Sequence, residues 1–443
     1  MPLAATAQPN AEPVREQLLN GLKVLFSQRP GDPTVLMKLR VHSGAAFDTT
    51  GKGGTMSLLG DAMFPDPATR EYVSEQLAGK LEVVTDYDGI NLTIAGKASE
   101  LERIVDLLRG ALVTPQLTPE NVGRVRDARL KQFSDKPLSA AEIADQAVAA
   151  RLFGNYPYGH PALGTFETVS HIDRADLLHA RERFLNADNA TIVVIGGVEP
   201  ARLRRALRQL LGSWQKGDRV VPATFRQTSA PDDRVLVVNQ PGATGAEIRL
   251  AVRGLACSDR DADAATLLAR IVRERWLAAS PDLSQAFVRH DAHALPGSFV
   301  LGASAPNTSA SKAVATAQQT IRTLPLTGLT IVELDRARSE MLSDLSRRTS
   351  QPETIADLWL DLDTYKLAPF QTRISSIQGL TVQDLQRVAA RLFKDALPAT
   401  IVVGDVGQLK SGFVGTIEVR NEKLDVKTTA EPTPPKAPPV KKP

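Results

Sequence analysis

A single internal repeat constrains the fold of this chain more than any other feature of its sequence. Four segments of the first half recur in the second half, in the same order and at offsets of 208 to 212 residues. The pairs are residues 117–118 with 329–330, 143–145 with 355–357, 176–184 with 384–392, and 190–198 with 399–406. Repeated segments in a fixed order indicate a duplicated structural unit. We therefore expect two homologous halves.

Composition changes predict where the two halves begin and end. A polar stretch with two prolines and adjacent aspartates separates them, and the sequence beyond residue 422 turns to Lys, Thr and Pro, a composition too poor in apolar residues to offset the entropy of folding. The predicted divisions are a flexible N-terminus at 1–11, a first half at 12–215, a linker at 216–233, a second half at 234–415 and a disordered Pro/Lys-rich tail at 416–443.

Each half contains both strand and helix patterns. Residues 35–41 and 247–252 alternate apolar and polar side chains, as half-buried strands do, whereas residues 98–112 and 310–324 carry apolar residues at helical spacing. We therefore predict an α+β fold, in which each half-domain is a mostly antiparallel sheet with helices packed on one face.

The bulk properties exclude several classes of protein. With 53 basic and 50 acidic residues the chain carries a net charge of +3, which gives no sign of nucleic-acid binding. No apolar run approaches a membrane span, and the lone Cys257 excludes an internal disulfide framework. A Gly-x-Ser-x-Gly elbow is also missing from the sequence, so nucleophilic hydrolysis has no support.

Several landmarks of the first half, read together, resemble the mitochondrial processing peptidase branch of the insulinase/pitrilysin zinc peptidases. They are residues 20–26, the Gly-Lys-Gly-Gly turn at 51–54, the Tyr-Pro-Tyr-Gly-His-Pro segment at 156–161, the short run at 166–169 and the strand end at 193–197. The resemblance covers about residues 12–415. It implies two α/β halves that pair with a second such subunit to enclose a chamber.

The metal site of that family does not carry over. Active members place His-x-x-Glu-His on the helix after the Gly-Lys turn, because two His at i and i+4 grip zinc while the Glu activates the bound water. The corresponding positions here are Ser57, Gly60 and Asp61, and the resemblance puts Gln132 where the last glutamate ligand is expected. These residues cannot form a zinc site. We expect no metal and no catalytic residue in this chain.

A second family feature is also degraded. Non-catalytic subunits of related peptidases supply an Arg and a Tyr that steady the substrate at the partner's zinc. The resemblance places Leu277 at the Arg position and Ser284 at the Tyr position. Arg275 and Arg289 lie nearby in sequence, and we interpret them as surface arginines unless the chain is aligned differently there.

Two other patterns have simple structural interpretations. His290 and His293 are the only closely spaced histidines, and three-residue spacing on a strand would point them to opposite faces, so we predict a polar turn there and no metal pair. The turn at 51–54 lacks the upstream glycine of a phosphate-binding loop, so a tight turn before a helix is the better interpretation.

One family feature can survive the loss of catalysis. Active members bind peptides by adding a strand to an exposed sheet edge, and the corresponding segment here contains Val83, Val84 and Thr85. Backbone hydrogen bonding needs no particular side chain, so peptide binding without cleavage is possible. An ordinary buried strand is the alternative.

The resemblance implies an inactive insulinase-family subunit, a pseudopeptidase that pairs with a zinc-bearing partner to form a peptide-processing chamber. Zinc is then expected only in the partner, and a homodimer is the alternative assembly. Two other functions stay open: an active zinc endopeptidase whose ligands lie elsewhere, and a structural scaffold, since core subunits of the respiratory bc1 complex are similar to this family. The small-residue start of the chain fits an exported protein of the periplasm or cell envelope, and a cytoplasmic protein fits it equally well.

Overall fold

A computed structural model describes residues 12–217, 225, 229–326, 328–413 and 417–421. Its strands form two six-stranded sheets, one in each half. The first has the order β1-β2-β6-β3-β5-β4, and the second β12-β7-β11-β8-β10-β9. The strands are β1 (Val14–Gln17), β2 (Lys23–Gln28), β3 (Thr34–Val41), β4 (Lys80–Thr85), β5 (Ile90–Lys97), β6 (Ala190–Gly196), β7 (Val235–Asn239), β8 (Gly245–Arg253), β9 (Ser284–Asp291), β10 (Ser298–Pro306), β11 (Ala399–Gly404) and β12 (Glu418–Asn421).

Helices connect and cover these strands, and side-chain caps begin many of them. Ser139, Thr330 and Thr381 each form a reciprocal capping box with an acidic residue three positions later. The helices are α1 (Thr55–Asp61), α2 (Pro67–Glu75), α3 (Leu101–Leu112), α4 (Pro119–Asp135), α5 (Ala140–Phe153), α6 (Phe166–Ser170), α7 (Arg174–Phe184), α8 (Pro200–Leu211), α9 (Ala262–Ala279), α10 (Ala310–Thr323), α11 (Ile331–Arg348), α12 (Pro352–Thr364), α13 (Phe370–Gly379), α14 (Val382–Phe393) and α15 (Val406–Leu409).

The duplication predicted from the repeat is present in the sheet topology. Five strands of each half follow the same spatial order, and the repeated apolar segments form the central strands β6 and β11. In both halves this central strand runs parallel to one neighbour and antiparallel to the other. The predicted α+β fold of two mostly antiparallel half-domains is confirmed.

The two halves exchange one helix each. Helices of the same half cover one face of each sheet, and the other face receives a helix from the opposite half: α12 packs on the first sheet and α5 on the second. Equivalent ion pairs fasten both contacts, since Lys38 lies 2.6 Å from Asp357 and Arg249 lies 2.6 Å from Asp145. The repeated Ile-Ala-Asp segments are therefore the docking sites of the exchanged helices.

The second half extends beyond its predicted end at residue 415. Its last strand, β12, pairs in parallel with β7 as far as Asn421, so residues 418–421 belong to the sheet and not to the tail. The short strand carries little apolar surface, which explains why its sequence gave no signal. The predicted N-terminal segment at 1–11, most of the linker and the rest of the tail lie outside the described residues. Within the described ranges, no helix is long and apolar enough to cross a membrane.

Candidate functional site

The turn at residues 51–54 leads directly into α1, the helix that carries the degenerate motif. Asp48 caps this helix, because its two carboxylate oxygens accept from the Gly54 amide at 2.7 Å and the Met56 amide at 2.8 Å. Burial raises the pKa of Asp48 to about 7, against the opposing effect of these two hydrogen bonds. Gly54 has φ of 96°, and a Cβ there would lie 2.8 Å from the Leu163 carbonyl oxygen.

Lys52 ties the same turn to α7. Its ammonium group lies 2.7 Å from the Asp176 carboxylate and donates to the His171 carbonyl at 2.6 Å. The ammonium group is therefore occupied by the His171 carbonyl and the Asp176 carboxylate, and it fixes the turn against α7. This contact supports the interpretation of residues 51–54 as a tight turn before a helix.

The guanidinium of Arg129 fills the space between the motif residues of α1. This side chain projects from α4 and is almost fully buried. It donates to the Asp61 carboxylate at 2.6 Å, to the Ser57 hydroxyl at 3.1 Å and to the Leu163 carbonyl at 3.4 Å. Burial raises the pKa of Asp61, and the Arg129 charge acts against that rise. Ser57 and Asp61 are thus brought together, as the motif spacing predicted, around a permanent cation.

This donor set does not fit zinc. A zinc site needs three or four lone-pair donors such as imidazole, thiolate or carboxylate, whereas a guanidinium only donates hydrogen bonds and is never neutral in proteins. The one carboxylate, Asp61, already binds Arg129. Across the described ranges, no group of three or more His, Cys, Asp or Glu residues is arranged to hold a metal ion.

Gly60, at the position of the general base, lies tightly against β4. A Cβ added there would lie 2.7 Å from the Thr85 hydroxyl and 3.3 Å from a Val83 methyl group. Real Cβ atoms essentially never approach other atoms to less than 3.0 Å. A larger residue at this position therefore requires the Thr85 and Val83 side chains, or the elements that carry them, to shift.

Gln132, predicted at the position of the last glutamate ligand, is exposed near the end of α4. The residue of α4 that faces α1 is Arg129, one helical turn earlier. A sequence signal for it exists, since Arg129 continues the buried stripe of Val122 and Val125 at helical spacing. A charged residue on a buried stripe requires a partner, and Asp61 is that partner.

The two closely spaced histidines serve different structural contacts. In β9, the His290 Nε2 accepts from the Leu255 amide at 3.0 Å, and in the turn after β9 the His293 Nδ1 lies 3.1 Å from the Asp88 carboxylate. They face separate partners. His290 belongs to the strand and His293 to the turn after it, so the predicted polar turn holds only the second histidine.

The strand that carries Val83, Val84 and Thr85 lies at the edge of the first sheet. Within the described residues β4 pairs only with β5. Val83 and Thr85 point toward α1, whereas Val84 points to the other face and leaves about half of its surface exposed. The degenerate motif and the free edge are therefore neighbours.

The corresponding edge of the second sheet is partly capped. In β9 the Ala286 carbonyl accepts from the Arg273 guanidinium at 3.1 Å, and the guanidinium groups of Arg249 and Arg289 stack on the Phe287 ring. The stacking lies on the face of the sheet, since Arg249 belongs to β8 and the Phe287 ring covers Gly302 of β10. The contact with the backbone of the edge strand is that of Arg273, and a carbonyl bound in this way is not available to a further strand.

The predicted Arg/Tyr positions lie at the end of α9 and the start of β9. Leu277 lies in α9 and Ser284 begins β9. Arg275 binds the Glu333 carboxylate through two nitrogens, at 2.6 and 3.0 Å. Arg289 is half exposed, and its Nε lies 3.3 Å from Asp291.

Comparison with known proteins identifies the relatives of both halves. Residues 23–166 match the family described as Insulinase (Peptidase family M16), and residues 171–341 match the one described as Peptidase M16 inactive domain. The mitochondrial-processing peptidase subunit beta of Blastocladiella emersonii is 22% identical over 417 residues, which is 88% of each chain. An uncharacterized zinc protease of Mycobacterium leprae is 23% identical over 45% of this chain and 46% of its own length.

Solved structures share the fold over nearly the whole chain. The peptidase M16 inactive domain from Pseudomonas fluorescens superposes with a TM-score of 0.80 at 17% identity, covering 93% of this chain and 100% of that one. A protease from Helicobacter pylori gives a TM-score of 0.78 at 18% identity, covering 88% and 99%.

Proposed function

This chain belongs to the insulinase family, peptidase family M16, and from that premise we propose that it is a non-catalytic member which works beside a zinc-bearing partner of the same family. In this proposal the chain contributes shape to a shared chamber and a surface that holds peptide. The chemistry of hydrolysis belongs to the partner.

The observation that carries the proposal is the burial of Arg129 between Ser57 and Asp61. Two unit charges of the same sign about 4 Å apart repel by roughly 4 kcal/mol at the effective dielectric of a protein surface, and a divalent ion doubles that repulsion. A zinc ion at this place would also lack imidazole ligands, since Ser57 and Asp61 stand at both histidine positions.

The neighbourhood of Gly60 supports the same proposal. Hydrolysis at a zinc site needs a carboxylate that takes the proton of the metal-bound water. Gly60 supplies none, and a side chain added there would meet the Thr85 hydroxyl at its Cβ. In this proposal zinc binding and proton transfer from a metal-bound water are lost for separate reasons, which disfavours an active peptidase with displaced ligands.

A partner subunit is the natural site of catalysis in this proposal. The relative from Blastocladiella emersonii is, by its name, one subunit of a processing peptidase. Arg275 is committed to Glu333 and Leu277 replaces the family's arginine, so we do not assign this chain a residue that reaches into the partner's active site. We propose the cell envelope as the compartment, which fractionation of native cells can test.

Peptide binding is assigned to the free edge of β4. An extended peptide could add to it through backbone hydrogen bonds, next to the α1 motif. The partly capped edge of β9 supports this choice, since the Ala286 carbonyl of that edge strand is already bound by the Arg273 guanidinium.

Two experiments test the proposal. Purification of the full chain from native cells is expected to recover a family member with an intact His-x-x-Glu-His motif; recovery of a respiratory or other non-proteolytic assembly would favour the scaffold function instead. For the edge strand, V84K is expected to weaken binding of an extended peptide to that complex by about tenfold, because an edge lysine opposes strand addition.

The matched control for the edge strand is V419K. Val419 lies on the edge strand β12 of the other sheet, and its exposed fraction, 46%, is close to the 49% of Val84. Peptide affinity measured by fluorescence anisotropy should not change in V419K. Equal weakening in both variants, or no weakening in V84K, would remove peptide binding from β4 while leaving the partner assignment intact.

A further inference from the structure

The tips of two equivalent hairpins meet where the halves join. Asp88 lies in the turn between β4 and β5 of the first half, and His293 lies in the turn between β9 and β10 of the second. The Asp88 carboxylate is almost fully buried and contacts the His293 Nδ1 at 3.1 Å. It also accepts from the Ala294 amide at 3.1 Å and the Tyr365 hydroxyl at 3.0 Å. One carboxylate of the first half therefore contacts three groups of the second.

Tyr158 extends this contact through the Tyr-Pro-Tyr-Gly-His-Pro segment singled out in the sequence. Its hydroxyl donates to Asp88 at 3.3 Å and accepts from the Leu295 amide at 3.0 Å. The centroid of the Tyr158 ring lies 4.6 Å from that of the His293 ring, and the centroid of the Tyr87 ring lies 5.4 Å from that of the His293 ring. The segment thus links an acid of one half to the backbone of the other.

The buried carboxylate of Asp88 is held in its charged form. Burial opposes the charge, but the His293 contact and the hydrogen bonds from Ala294 and Tyr365 outweigh it and keep the pKa of Asp88 below its usual range. A buried charge of this kind costs free energy unless it is paired and hydrogen-bonded. The charge of Asp88 therefore requires these partners at the seam, the junction where the two hairpin tips of the two halves meet.

His293 remains within reach of solvent protons. About a quarter of its side chain is exposed, and it lines a cavity of about 140 Å³ together with Asp145, Arg289 and Asp291. Because Nδ1 faces a carboxylate, it carries the hydrogen, and Nε2 has no hydrogen-bond partner among the described residues. A second proton can therefore be added at Nε2 without breaking the contact with Asp88.

The other titratable groups around His293 include three tyrosines, Cys257 and His160. Burial raises the pKa of Tyr87 and of Cys257 to about 12, and it also raises the pKa of Tyr158 and of Tyr365. His160, whose ring lies 6.4 Å from Tyr87, has a pKa lowered by burial.

The remaining neighbours are acidic and basic side chains, several of which are paired with each other. In the cavity Arg289 lies 3.3 Å from Asp291, and Asp145 is paired with Arg249. The pKa values of Tyr365 and Cys257 are also affected by nearby charges, among them those of Arg40, Asp361 and, for Cys257, Arg373.

We propose that Asp88, Tyr158 and His293 form a proton-sensitive clasp that fastens the two halves, tighter when His293 is protonated. Protonation adds the attraction of an imidazolium for the buried carboxylate, whereas the neutral ring keeps only its hydrogen bond. This inference is independent of the proposed function, because the clasp lies at the seam and not at the α1 motif.

Hydrogen exchange of the full chain tests the clasp. We expect the hairpin-tip peptides, around residues 84–90 and 289–297, to lose about tenfold in protection between about pH 5.5 and pH 8, after correction for intrinsic exchange rates. H293Q should keep a donor for Asp88 but show low protection at both pH values. The matched control is H179Q, an exposed histidine away from the seam, which should behave as the parent chain does.

A second variant keeps the test decisive if H293Q does not fold. D88N removes the charge and retains a hydrogen-bonding side chain, so its hairpin tips should also lose their pH dependence. Equal protection of the parent chain at both pH values, or an unchanged pH dependence in D88N, would overturn the clasp. Neither outcome bears on zinc or on a partner subunit.

Discussion

At the scale of single residues, Arg129 cross-links the elements around the α1 motif, as a bound metal does in a ligand cluster. Its guanidinium joins α1, α4 and the loop at Leu163 through three hydrogen bonds. The planar, permanently charged group suits this place, because it satisfies several acceptors at once without a proton equilibrium. The residues at the motif positions are therefore stabilised by a buried cation and its hydrogen bonds.

Removing this cation should destabilise the chain. R129A leaves Asp61 without its partner and opens a cavity, and we expect the free energy of unfolding to fall by about 2–4 kcal/mol, somewhat less than for a fully buried pair because Asp61 is partly exposed. Guanidinium ion at concentrations far below denaturing should recover part of the loss. Thermal unfolding with and without the ion measures both effects.

The matched control on the same helix is R124A. Arg124 is exposed and pairs only with the exposed Glu120, a contact worth a few tenths of a kcal/mol, so neither a large loss nor a recovery is expected. A loss in R129A equal to that in R124A, or one that guanidinium leaves unchanged, would contradict the structural role of the cation.

At the scale of elements, the decisive contact is the packing of α1 against β4. The two elements come so close at Gly60 that the glycine is needed for space, although glycine normally weakens a helix interior. Because of this closeness, we expect that restoring the motif residues alone would not restore a zinc site.

A pair of glycine substitutions tests this packing. G60A should lower the free energy of unfolding by about 1–3 kcal/mol, because overpacking against Thr85 outweighs the better helix propensity of alanine. G123A, in α4, where the added Cβ meets nothing within 4 Å beyond the adjacent residues and backbone of its own helix, should raise it by about 0.5–1 kcal/mol. Urea unfolding compares them, and a stabilising G60A would show that α1 and β4 have room to spare.

Much of this arrangement could be predicted from the sequence, and the remainder depends on contacts that form only when the chain folds. The repeat predicted two halves, and the motif spacing placed Ser57 and Asp61 on one side of α1. Sequence reasoning selected Gln132 and missed Arg129, because a shift of three residues along α4 decides which side chain faces α1. The exchange of α5 and α12 was not predicted either, since Asp145 and Asp357 meet their partners only after the halves assemble.

At the scale of the whole molecule, the exchanged helices make the two halves one unit. Each sheet buries its second face under a helix supplied by the other half, so neither core is complete alone. The seam carries charge as well as apolar surface, through the pairs Lys38–Asp357 and Arg249–Asp145 and the cluster at Asp88. A two-half body with a free edge at β4 fits the proposed role of shaping a chamber beside a catalytic partner.

The zinc content of the purified full chain tests the central claim most directly. After incubation with zinc and exhaustive dialysis, elemental analysis should find far less than one zinc per chain, with no change in D61A, because Arg129 occupies the place of the metal and only one carboxylate is present. One zinc per chain that D61A abolishes would contradict the account and identify an active metal site at α1.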